Sequence, residues 1–143
     1  MRQEWDEYFM GLALVALKRA TCVRRKVGAI LTRNNRTLAT GYNGAAPGHK
    51  HCGEVGCLRE ELKVPSGQRH EICKAVHAEQ NIITQCARFG IATEGSVLYC
   101  TNKPCSICAK LIVSAGIVRV VYKDGYPDDL TDLILSTIEV IKL

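Results

Sequence analysis

Ser96-Val97-Leu98-Tyr99-Cys100-Thr101-Asn102-Lys103-Pro104-Cys105-Ser106-Ile107-Cys108-Ala109-Lys110-Leu111-Ile112-Val113-Ser114-Ala115-Gly116-Ile117-Val118-Arg119-Val120-Val121-Tyr122 reads as strand, helix, strand. Ser96 to Cys100 is a short apolar run. Pro104 suits the first turn of a helix, where its missing N–H has no partner to lose. The helix runs to about Ala115, and Gly116 supplies a C-terminal cap. Ile117 to Tyr122 is the next strand. Upstream, Trp5, Tyr8, Phe9, Leu12, Ala13, Ala16 and Leu17 recur at helical spacing, which predicts a helix over 3 to about 20. Val27–Thr32 and Thr37–Tyr42 form a hairpin turning at Asn34-Asn35. Ala78, Ile82, Ile83 and Cys86 place a helix over 76–89. Asp128 to about Ser136 gives a last helix, and Ile138–Leu143 a last strand. This order predicts an α/β fold: a three-layer α/β/α sandwich on a five-stranded mixed sheet, with the hairpin antiparallel and the later strands parallel.

The stretch from about 44 to 74 departs from that pattern. Gly, Pro, His and Cys punctuate it, with a short helix around Leu58–Leu62. A long, weakly patterned loop in a compact domain is usually functional or tied down. The chain has 143 residues, the size of one domain with its own core. It carries no apolar run of membrane-spanning length and no secretory signal, so a cytoplasmic protein without membrane partners is expected. The net charge of +5 does not call for a nucleic-acid polymer. Arg19, Arg24, Arg25 and Lys26 form a basic cluster that suits either a helix end or an anion site.

Eight cysteines in a reducing compartment suggest metal or catalysis before disulfides. Cys105 and Cys108 lie at i and i+3 on one helix face. His77 and Glu79 open the preceding helix. One histidine and two thiolates bind zinc and leave a fourth position open, the mark of a catalytic rather than structural site. Zinc so held lowers the pKa of a bound water, and Glu79 stands where it can move protons to and from that water. H-x-E followed by P-C-x-x-C is a signature of zinc-dependent nucleobase deaminases.

The chain resembles the deoxycytidylate (dCMP) deaminases, a branch of the cytidine deaminase superfamily, over nearly its whole length. The resemblance rests on Arg25–Ile30, Gly41-Tyr42-Asn43-Gly44-Ala45-Ala46-Pro47-Gly48, His51-Cys52, His77-Ala78-Glu79-Gln80-Asn81, Pro104–Lys110 and Gly116–Tyr122. It implies a cytidine deaminase-like fold over 1–143 and hydrolysis of dCMP to dUMP and ammonia. It also implies sugar contact by Asn43, a 5′-phosphate site in Arg24-Arg25-Lys26, and closure of Tyr126 over the substrate. A homohexamer, activation by dCTP with Mg2+ and inhibition by dTTP are further implications.

Some family members hold a second, structural zinc. Cys22 and Cys52 match two of its ligands. A glutamate expected just before the catalytic histidine is replaced by Ala75. Cys73 stands nearby as a substitute, with Cys57 or His70 to complete the cage; the alternative is that these cysteines are buried small hydrophobes. Cys86 and Cys100 read as core. Three rival readings share parts of the pattern: a tRNA adenosine deaminase, a free cytidine deaminase, and a non-catalytic zinc-stabilised binding module. The Gly41–Gly48 segment favours the nucleotide enzyme over the tRNA enzyme. The cysteine motif departs from that usual in free cytidine deaminases, and a binding module would not need Glu79.

Overall fold

A computed structural model describes residues 1–143. Helix α1 spans Trp5–Leu17, followed by the hairpin β1 (Gly28–Arg33) and β2 (Arg36–Tyr42). Two short strands, β3 (Gly44–Ala45) and β4 (Ala75–Val76), bracket the irregular segment. Within it lie α2 (Cys52–Val55), α3 (Leu58–Glu61) and a single 3₁₀ turn at His70–Ile72. Then come α4 (Ala78–Phe89), β5 (Val97–Asn102), α5 (Ser106–Ser114), β6 (Arg119–Asp124), α6 (Asp129–Leu135) and β7 (Glu139–Lys142).

The main sheet runs β2-β1-β5-β6-β7. β1 pairs antiparallel with β2 and β5, whereas β5, β6 and β7 are mutually parallel. The expected three-layer mixed architecture is therefore observed. Alternate residues of each strand face opposite layers. Ala29, Leu31, Leu98, Cys100 and Val120 face α4, α5 and α6, meeting Ile82, Cys86, Ala109, Ile112 and Leu135. Ile30, Tyr99 and Val121 point the other way, against Phe9, Met10 and Ala13 of α1. Both Cys86 and Cys100 lie in the first core, as their positions in the sequence suggest.

Asp6 fastens α1 to the sheet. It accepts from Arg119 Nη1 at 2.8 Å, Arg119 Nη2 at 2.7 Å and Tyr99 Oη at 2.8 Å. The two-pronged Arg119 contact holds the Asp6 carboxyl below its ordinary pKa against the opposing cost of burial.

Some boundaries differ from the sequence expectation. Helix α4 begins two residues late because Val76 pairs with Gly44 in the small β3–β4 ladder. β6 starts at Arg119 because Ile117 is sunk in the core and Val118 N–H is taken by the Ser96 carbonyl at 2.9 Å. β5 continues to Asn102, opposite Asp124.

Candidate active site

Two helix starts converge at one end of the sheet. His77 caps α4: the Gln80 side chain accepts from His77 N–H at 2.8 Å, closing a capping box. Asn81 Nδ2 donates to the Tyr42 carbonyl at 2.6 Å, tying the first turn of α4 to the end of β2. The run His77-Ala78-Glu79-Gln80-Asn81 thus contains one candidate ligand, one buried carboxylate and two residues that fix the helix start. Gly41 sets the approach distance. A Cβ there would stand 2.5 Å from the Ala78 carbonyl oxygen, so only glycine lets β2 and α4 pack this closely.

Cys105 caps α5 and Cys108 lies in its first turn. His77 Nδ1 is 3.3 Å from Cys108 Sγ and 3.6 Å from Cys105 Sγ, and the three ligand atoms all lie within 4.8 Å of one another. Tetrahedral zinc with ordinary Zn–N and Zn–S lengths needs N···S separations of about 3.6 Å. The donor set and its spacing therefore fit zinc. Without metal, the Cys105 thiol is lowered to about 3, chiefly by hydrogen bonding from the Cys108 thiol and also from His77. His77 is raised to about 10, first by Cys105 and then by Cys73. The Cys108 thiol is pushed upward by the Cys105 thiolate and by burial.

Glu79 lies outside the ligand triad and is buried, 5% exposed. Burial raises its pKa, with backbone hydrogen bonding and the His77 charge opposing. A cavity of about 760 Å³ opens beside it, within the usual range for small-molecule sites. His77, Glu79 and Cys105 form its floor, and Cys108 lies fully buried behind them.

The other expected site residues sort themselves around this cavity. Asn43, Arg24 and Tyr126 line it, whereas Lys26 is exposed and stands outside it. Asn43 is buried and its amide is largely committed. Oδ1 accepts from Val27 N–H at 2.8 Å, and Nδ2 donates to the Arg25 carbonyl at 2.7 Å. It therefore clamps the Arg24–Lys26 loop at the cavity rim, with one amide proton and one lone pair left. Tyr126 is 71% exposed, with the Arg25 guanidinium 5.4 Å from its ring centre.

The candidate residues for a second metal divide into two groups. Cys52 and Cys57 are buried. The Cys52 thiol is raised by burial and then by Cys57, Cys22 and Cys73 as neighbours. Cys73 also reaches His77, whose hydrogen bond is the main cause of its fall to about 7. His70 instead lies edge-on to His77, ring centres 5.2 Å apart. Its Nδ1 is buried without a hydrogen-bond partner. Arg59 was not singled out by sequence. It is buried and lines the same cavity, and an arginine in a charged run, Arg59-Glu60-Glu61, carries no sign of burial.

Comparison with known proteins places this geometry. Residues 3–124 match the family model described as the cytidine and deoxycytidylate deaminase zinc-binding region. The chain is 41% identical over 126 residues to the deoxycytidylate deaminase of Mycobacterium phage D29, covering 85% of this chain and 95% of that one. It is 40% identical over 128 residues to the deoxycytidylate deaminase of Schizosaccharomyces pombe, covering 90% of this chain but only 39% of the yeast protein. The dCMP deaminase of cyanophage S-TIM5 superposes with a TM-score of 0.78 at 32% identity, covering 100% of each chain. That phage enzyme has also been solved with dCMP and dUMP.

Proposed function

From the premise that this chain belongs to the cytidine and deoxycytidylate deaminase family, we propose that it hydrolyses dCMP to dUMP and ammonia with zinc at His77, Cys105 and Cys108. The observation that carries the reading is the ligand triad beside a buried carboxylate at the floor of a nucleotide-sized cavity. The phage D29 and S-TIM5 relatives, both deoxycytidylate deaminases, support the choice of substrate.

Zinc bound by this triad supplies a Lewis acid that makes water nucleophilic near neutral pH. Glu79 does the proton work. Its burial favours proton uptake and keeps the carboxyl off bulk water. It accepts a proton from the attacking water and gives it to the ring nitrogen next to C4; it then takes the proton of the new C4 hydroxyl and delivers it to the amino group. The C4–N bond breaks, ammonia leaves, and a carbonyl remains. Asn43 holds the Arg24–Lys26 loop at the rim and offers its remaining amide valences to the sugar. Tyr126 covers the mouth.

A second, structural zinc at Cys22, Cys52, Cys57 and Cys73 extends the proposal. Cys57, Cys22 and Cys73 are the neighbours that help raise the Cys52 thiol, which supports it, although only His77, Cys105 and Cys108 are already gathered at ligand spacing; Cys57 suits the fourth position better than His70, which faces His77. Zinc analysis giving two ions per chain, reduced to one by Cys52→Ala with Cys57→Ala, is the expected result. The family resemblance adds a cytoplasmic homohexamer, activated by dCTP with Mg2+ and inhibited by dTTP. Sedimentation and turnover with each nucleotide test these points.

Ammonia release by the zinc-loaded protein, assayed with dCMP, deoxycytidine, CMP and a tRNA anticodon stem-loop, tests the reaction itself. Turnover of dCMP above the others is expected. Turnover of the RNA alone overturns the reading.

A further inference from the structure

Arg59 is a cation in an unusual position. It is 8% exposed, yet it forms no ion pair with any carboxylate. Its Nε donates to the Gln68 carbonyl at 2.9 Å. Arg24 is half-buried and likewise forms no ion pair. Its Nη2 donates to the Val64 carbonyl at 2.9 Å, while its Nη1 is buried with no hydrogen-bond partner. The two guanidiniums are thus gripped from opposite ends of one segment, Val64–Gln68. The middle of that segment, Ser66 and Gly67, lines the cavity along with both arginines. Burying a charge without a counter-charge is costly, and leaving a guanidinium N–H unsatisfied adds to the cost. Both costs are relieved by an anion seated between the two forks. The carboxylate of Glu60 also lines this cavity, but it belongs to an exposed residue and pairs with neither arginine.

Position selects the anion. Arg59 and Arg24 line the same cavity as His77, Glu79 and Cys105. An anion held between the two guanidiniums therefore shares one cavity with a base set over the metal ligands, as the two ends of a nucleotide would. We propose that Arg59, together with Arg24, reads the 5′-phosphate of the nucleotide. This makes Arg59 a specificity-determining residue contributed by the irregular segment between β3 and β4. The inference rests on the reading of the cavity as a cytosine nucleotide site. Lys26, outside the cavity, has no direct part in it. A guanidinium suits the task because its planar fork meets two phosphate oxygens at once, which an ammonium cannot do.

The test compares wild type, Arg59→Gln and Arg59→Lys, each zinc-loaded and checked for folding by thermal melting. For each, kcat/KM is measured with dCMP and with deoxycytidine. The ratio of the two should fall roughly ten- to a hundredfold in Arg59→Gln, with partial recovery in Arg59→Lys. An equal fall with both substrates would mark a merely structural residue and overturn the proposal. Inorganic phosphate should inhibit wild type competitively against dCMP; a non-competitive pattern would place the anion elsewhere and also overturn it. Binding separates this inference from the functional reading. If wild type deaminates neither compound, calorimetry with 2-deoxyribose 5-phosphate and with 2-deoxyribose still decides. Preference for the phosphorylated sugar, lost in Arg59→Gln, upholds the subsite, and equal binding refutes it. Should Arg59→Gln fail to fold, Arg59→Lys and the wild-type inhibition pattern carry the decision.

Discussion

Replacing Gly41 with alanine should damage catalysis through backbone position alone. The added Cβ would lie 2.5 Å from the Ala78 carbonyl oxygen and 2.8 Å from Ile82 Cγ1. Ordinary contact begins near 3.4 Å, so the first turn of α4 must retreat by about 0.9 Å, the difference between 2.5 and 3.4. Ile82 is fully buried and has little room to rotate away. Ala78 sits between His77 and Glu79, so a ligand and the proton carrier move together. A displacement near 1 Å at a catalytic group costs about a hundredfold in rate. Overpacking of this size costs about 1–3 kcal/mol of stability. The assay pairs dCMP turnover with urea unfolding of Gly41→Ala, using Gly11→Ala in α1 as the control. Nothing lies within 4 Å of a Cβ at Gly11, so that change should add up to about 1 kcal/mol of helix stability. Wild-type kcat/KM and stability in Gly41→Ala would refute the argument that β2 sets the position of the metal-binding turn.

Further expectations follow from the ligands, the core and the sheet fastening. Chelator treatment should abolish dCMP turnover and zinc should restore it, while Cys105→Ser should lose both zinc and activity; activity surviving in metal-free protein contradicts the triad. Ile112→Ala, at a fully buried position between α5 and the sheet, should cost about 2–5 kcal/mol in urea unfolding; a loss below 1 kcal/mol would show that this layer is loosely packed. Asp6→Asn should cost about 1–2 kcal/mol at pH 7, because it breaks a two-pronged, partly buried carboxylate–arginine contact. The folded-state pKa of Asp6 lies below its unfolded value. Its stabilisation is therefore complete above about pH 4 and disappears as pH falls through the depressed folded pKa. Melting curves of wild type and Asp6→Asn should converge on acidification; a constant gap down to the acid transition would assign the loss to packing.

Much of this molecule is written in its periodicities. The short apolar runs Ser96–Cys100 and Ile117–Tyr122, and the helical spacing of Ala78, Ile82 and Cys86, carry the sheet and its layers. The metal triad is legible because its ligands sit at two helix starts, each fixed by local chemistry: a capping box at His77 and a proline before Cys105. The segment from 44 to 74 is less legible. Its strands β3 and β4 are two residues each, too short to show alternation, and Gly44–Val76 pairing depends on a contact 32 positions away. Asn43 illustrates a second limit. Its residue type allows a sugar contact or a turn, and only the tertiary structure shows its amide clamping Val27 and Arg25. Arg59 illustrates a third, because burial of a charged residue depends on what folds over it.

The most direct test of the central claim is dUMP formation from dCMP by zinc-loaded wild type beside Glu79→Gln, with zinc measured in both. Glutamine keeps the shape of the side chain but cannot carry a proton. Wild type should turn over dCMP, the variant should lose at least about a hundredfold, and the two should hold equal zinc. An active Glu79→Gln, or a fully zinc-loaded wild type that leaves dCMP untouched, would contradict that claim.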